Sequence, residues 1–213
     1  MTKPSHNLMA YNSQICVDDK FKFIVATDVT SSGSDKQELH KMALQTKEVI
    51  DNPELIITAD KGYYSAVEIK KCIDDGINTI VPPVRTGQEL KLLDTYNAKM
   101  QTDESKVIIK KRSSVVEHLF GTIKRSLDWD YFLVRSKKKV AGENALIMFT
   151  YNFKRLLNLI GIALFRKLMI AIKDGDLSDI REEIALHIAK FRLYMAKIIS
   201  NVFMLQFRQN ICL

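Results

Sequence analysis

With 213 residues, 46% hydrophobic and 27% charged, the chain can bury one full core and a small appendage. Thirty-two Lys and Arg against 25 Asp and Glu leave a net charge of +7 and a pI near 9.2, which points to a polyanionic partner. Cys16, Cys72 and Cys212 fit neither a disulfide framework nor a metal-ligand spacing, and the longest apolar run, Leu156 to Ile172, is broken by Arg166 and Lys167 before it could span a bilayer.

The first ten residues show no periodicity and read as a loop. Tyr11 to Val17 and Phe21 to Val29 alternate as strands around an Asp18-Asp19-Lys20 turn and predict a hairpin. A Ser/Gly loop follows, in which Ser34 or Asp35 is expected to cap a helix running to about Ile50, with Leu39, Met42, Ala43 and Val49 facing inward. Leu55 to Ala59 is a short, almost wholly apolar strand ending on Asp60, the pattern of a parallel strand buried on both faces. Functional groups in such sheets collect just past the carboxyl end of a strand, which is where Asp60 falls. Gly62 then permits a tight turn and Ser65 can cap a helix to about Asp75. Thr79 to Val84, closed by Pro82 and Pro83, predicts a short or edge strand, and residues 85 to 105 a loop with a helical piece.

Ser113 to Arg125 predicts an amphipathic helix with Val116, Leu119, Phe120 and Ile123 on its buried stripe and Glu117 at the stripe's edge. Trp129 to Val134 reads as a short strand or turn, and Val140 to Leu159 as a long helix. The rest is expected to be helical, in two runs divided at Asp174-Gly175-Asp176, with Ser178 capping the second. Positive charge is concentrated between Glu104 and Lys139, where ten Lys and Arg face four acids. Phosphate contact is one reading of Lys137, Lys138 and Lys139, and a solvated charge run is the other. Trp129 is a candidate for stacking on DNA or for the core.

A strand-end Asp and a helix-borne Glu, 57 residues apart and set among cations, suit divalent-metal phosphoryl transfer. The carboxylates hold metal ions while nearby Lys and Arg position the phosphate backbone.

Five runs carry a resemblance: A-Y-N-S-Q-I-C-V-D (10–18), F-I-V-A-T-D-V-T (23–30), A-D-K-G-Y-Y-S (59–65), V-E-H-L-F-G-T-I-K (116–124) and Y-N-F-K-R (151–155). Over residues 8 to 160 the chain resembles bacterial insertion-sequence transposases of the DDE type. The resemblance implies an α/β, ribonuclease H-like mixed sheet flanked by helices, spanning 1–160, and leaves 161–213 as a helical tail. It implies cleavage and strand transfer of transposon DNA ends with Mg²⁺ or Mn²⁺ held by Asp, Asp and Glu. Asp60 is then the second acid and Glu117 the third, both catalytic and metal-binding. Lys61, Arg112, Lys124 and Arg125 are the candidate DNA contacts. Lys124 stands where the family's helix signature has its lysine, whereas the arginine expected four residues before the glutamate is Ser113, with Arg112 beside it. The implied partners are double-stranded DNA, as transposon ends and target, and a second copy or a full-length transposase, in a cytoplasmic, nucleoid-associated setting without a membrane.

In that fold three antiparallel strands precede the first helix, and the first acid lies on strand one, parallel to the strand ending at Asp60. Only two strands precede the helix near Asp35. Either Tyr11 to Asp18 is strand one and another is absent, or it is strand two; the likeness favours the second. The expectation is therefore a sheet lacking its first strand and a truncated, inactive transposase copy. The alternative is a non-catalytic DNA-binding or oligomerisation fragment that modulates a full-length enzyme.

Overall fold

In the computed structural model the described residues are 10–50, 52–84, 94–129, 131–194 and 201–211; the side chains of 10, 113, 114, 116–118, 120, 126, 190–194 and 201–211 are not among those described. They fall into two compact units, one comprising residues up to Met148 together with the segment from Ser200, the other Phe149–Ile199.

The first unit is built on a mixed sheet. Strands β1 (Ala10–Asp18) and β2 (Ile24–Thr30) pair antiparallel, as the alternation predicts, with Asn12 opposite Thr30 and Ile15 opposite Thr27. The turn between them is fixed by the Asp18 carboxylate, which accepts from the amides of Lys20 and Phe21, so Asp18 is a turn residue. Strands β3 (Ile56–Thr58) and β4 (Asn78–Ile80) pair in parallel, and β4 lies at the sheet's edge, where the prolines that follow it cost no ladder bond. Tyr131–Phe132 forms a two-residue strand, β5.

Strand β6 (Asn201–Ile211) is the departure from expectation. The tail is helical to Tyr194 but extended from Asn201, and the sheet order is β2-β1-β6-β3-β4, with β6 in the centre. It runs antiparallel to β1, from Ala10 opposite Asn210 to Asp18 opposite Val202, and parallel to β3, with Ile56 opposite Asn201 and Thr58 opposite Phe203. A gap between β1 and β3 would leave two rows of backbone N–H and C=O unpaired in the heart of the sheet. An eleven-residue segment of the chain's own fills it.

Helix α1 (Leu39–Val49) packs on β1, β2 and helix α2 (Ala66–Asp74). Leu39, Met42, Ala43 and Thr46 are its buried residues, while Val49 is 63% exposed because the helix ends there. No side chain caps α1: Asp35 has partners elsewhere. Helix α3 (Asp94–Met100) leads into α4 (Asp103–Ser126), which starts ten residues earlier than the amphipathic pattern indicated. Thr102 begins it by accepting from the Ser105 amide, and Asp103 and Glu104 complement the positive end of the helix dipole. Helix α4 packs on β3 and β6 with Ile108, Val115, Leu119 and Ile123 buried. The last two are on the expected stripe; Val116 and Phe120 fall outside the described side chains.

The two faces of the sheet are told apart by its partners. Cys16 meets the Met42 carbonyl of α1, so Asn12, Gln14 and Cys16 form the row toward that helix. Ser13 donates to Asn144 of α5 (Lys137–Asp174), and Asn144 donates in turn to Thr27, so Ser13, Ile15 and Thr27 lie on the opposite face.

In the second unit, α5 breaks at Gly161 (φ 79°, ψ 160°) and ends before Gly175 (φ 77°), positions where a side chain would be strained. Helix α6 (Ser178–Tyr194) follows, and Ile160, Leu164 and Ile180 make a small core with Leu156, Leu168 and Ile184. The capping roles differ from expectation. Asp176 accepts from both the amide and the hydroxyl of Ser178, which holds the Asp176 carboxyl below the usual carboxylate range. Among the described residues no helix is long and apolar enough to cross a membrane.

Candidate functional site

The site is built at the carboxyl end of β3. Beyond Thr58 the chain stays extended: the Ala59 amide still donates to the Ile80 carbonyl, and Asp60 has φ −81° and ψ 171°. The chain then tightens into a turn, Lys61–Tyr63, opened by the Asp60 carboxylate accepting from the Gly62 amide. A Cβ on Gly62 would stand 2.9 Å from Asp60 Oδ1 and 3.7 Å from Asp35 Oδ2. Glycine here leaves room for two carboxylates. Lys61 beside them is exposed.

Asp35 is the functional candidate that sequence reasoning missed. It is 6% exposed, and its Oδ1 accepts from Asn12 Nδ2 at 2.6 Å and Gln14 Nε2 at 3.0 Å. Gln14 Oε1 in turn accepts from the Tyr63 hydroxyl. The network links β1, the loop before α1 and the turn after Asp60, so it fixes that turn from the α1 side of the sheet. Burial, reinforced by the negative charge of Asp35, pushes the Tyr63 phenol well above its ordinary range and keeps it a donor. The signal available was the run Asn12-Ser13-Gln14 inside a strand, three polar side chains in a row that require polar partners on both faces when buried.

The remaining candidates lie on α4. Glu117 is in the helix between Val115 and Leu119, and its side chain is not among those described. The structure thus does not show Asp60 and Glu117 side by side. Lys106, Lys110, Lys124 and Arg125 are exposed. The first three recur at intervals that place them on one outward face of α4, away from the buried Val115 and Leu119. Arg112 is half-buried, and among the described residues its Nε has no hydrogen-bond partner. Lys111 instead serves structure: with Lys22 it pairs with Asp19, whose side chain is wholly buried, and ties α4 to the hairpin turn. Past the helix, Arg135, Lys137, Lys138 and Lys139 are all exposed. Trp129 is 6% exposed and meets Phe132 edge-on with ring centroids 5.0 Å apart, so it belongs to the core.

Two metal ions in a phosphoryl-transfer centre require several carboxylate oxygens from different elements. Among the described residues no three His, Cys, Asp or Glu side chains gather closely enough to hold an ion. Asp60 stands at the strand end and Asp35 behind it, already engaged by two amides. The described side chains therefore do not fit the implied metal pair.

Residues 2–153 match the family model described as the transposase DDE domain. No curated protein and no solved structure matches the chain.

Proposed function

Since the chain belongs to the transposase DDE-domain family, we propose that it binds double-stranded DNA at transposon ends while its own strand-cutting centre is incomplete. The observation that carries the proposal is the placement of α4: the helix bearing Lys106, Lys110 and Lys124 on its outer face packs on the strand pair that leads to Asp60. A duplex end lying along these cations, with Lys61, Arg112 and Arg125 at its margin, would release counterions on binding, the phosphate contacts fixing its position. Exposed Arg135 and Lys137–Lys139 extend the same chemistry.

The second half of the proposal, an inactive copy of an insertion-sequence transposase, is supported by β6. None of its eleven residues is Asp or Glu, although it is the strand next to the one that leads to Asp60. Asp60 and Glu117 keep the metal-facing roles the family gives them, for Mg²⁺ or Mn²⁺, without a carboxylate on β6 to complete the set. Occupying ends it does not cut, the chain competes with a full-length transposase or joins it in mixed multimers, in the bacterial cytoplasm at the nucleoid.

Fluorescence anisotropy with duplex DNA over a salt series tests the reading. The logarithm of affinity should fall linearly with the logarithm of salt, and changing Lys137, Lys138 and Lys139 to Ala should reduce the slope by about 2 to 3. Binding that ignores salt would refute DNA contact through these cations. Robust strand transfer with Mn²⁺ would refute inactivity.

A further inference from the structure

The sheet register sets one residue of β6 level with Asp60. Thr58 is opposite Phe203 in the parallel β3–β6 pair, and the chain remains extended through Ala59 to Asp60. Two residues on, the position level with Asp60 is Leu205. On its other side Leu205 is paired with Ile15, which is paired with Thr27. That row is the one on the α5 face of the sheet, opposite the face on which Cys16 meets α1. Neighbouring strands are about 4.8 Å apart, so carboxylates borne at the same level on adjacent strands reach a common divalent ion with ordinary ligand lengths of roughly 2.0 to 2.6 Å. Residues one step away belong to the other face.

We propose that segment 201–211 is a structural stand-in for a carboxylate-bearing strand, and that Leu205 occupies the position from which a strand-borne ligand would share a divalent cation with Asp60. The segment satisfies the backbone of β1 and β3 and completes the sheet, but leaves the strand end without the carboxylate a divalent cation needs. This deepens the proposed inactivity and rests on that reading of the site, but not on DNA binding.

The test is a gain of function in the full chain, read by Mn²⁺ titration with electron paramagnetic resonance, so that no catalysis is required. Leu205→Asp should bind Mn²⁺ at least tenfold more tightly than the unmodified chain. The gain should vanish in Leu205→Asp/Asp60→Asn. Met204→Asp, opposite Cys16 in the other row, should gain less than threefold. A folded Leu205→Asp chain with unmodified affinity would overturn the proposal, as would an equal gain from Met204→Asp. Should Leu205→Asp fail to fold, hydrogen exchange on the unmodified chain decides: amides of 202–210 should be protected and lose protection together with those of β1 as urea rises. Exchange of that segment at the rate of an unstructured peptide would overturn the proposal. DNA affinity measured in parallel separates the two readings, since failure to bind DNA leaves the Mn²⁺ result intact.

Discussion

Replacing Asp35 by alanine removes the acceptor shared by Asn12 Nδ2 and Gln14 Nε2, both on residues no more than 3% exposed. Each buried amide left without a partner costs about 1–3 kcal/mol, so Asp35→Ala should destabilise the sheet unit by roughly 2–6 kcal/mol. Asp35→Asn keeps an acceptor oxygen while removing a buried charge, and should cost only about 1 kcal/mol. Urea unfolding followed by fluorescence separates them, because Trp129 is the sole tryptophan and lies in the sheet unit, leaving the helical unit silent. With a slope of about 2 kcal/mol per molar urea, Asp35→Ala should lower the midpoint by about 1–3 M, and Asp35→Asn by about 0.5 M. An Asp35→Ala midpoint within about 0.25 M of the parent would refute the view that this carboxylate organises the network. So would an asparagine variant as unstable as the alanine one, since charge rather than the acceptor would then be what matters.

High pH should unfold the chain in a defined window. Burial pushes the Cys16 and Cys72 thiols up to about 12, the Tyr96 phenol up to about 12, and Tyr63 higher still. The folded state thus keeps protons that the unfolded state sheds, so stability is full below about pH 8.5 and falls as pH rises, first by the thiols and then by the phenols, at about 1.4 kcal/mol per pH unit for each group. Trp129 fluorescence against pH should show cooperative loss before pH 12, with Cys16→Ala delaying its onset; a flat profile to pH 12 would contradict the assigned burial. Thr102→Ala deletes the acceptor that begins α4 and should cost about 1 kcal/mol, lowering the thermal midpoint by about 2–4 °C, whereas Thr102→Ser should be near neutral.

What was legible in the sequence followed from local pattern. Alternation in 11–17 and 21–29, the apolar run ending on Asp60, and glycine at 76 are short-range signals, and the hairpin, β3 and the end of α2 lie where those signals put them. Asp35 reads as a cap because its partners are 21 and 23 residues away, and from sequence a lone Asp before a helix is indistinguishable from one. Segment 201–211 falls in the stretch the sequence predicts to be helical, and what decides its state is the slot between two strands remote in sequence. The strand end at Asp60 follows from its own neighbours, whereas the residue that stands beside it on β6 follows only from the register.

The central position of β6 also governs how the chain emerges from the ribosome. At about 5–20 residues per second, β3 is made on the order of ten seconds before the segment that will pair with it. Throughout that interval β1 and β3 present open edges, the templates on which nascent chains pair with one another. Closure of the sheet accordingly waits for segment 201–211 to be made, and until then the half-built sheet is a client for holdase chaperones.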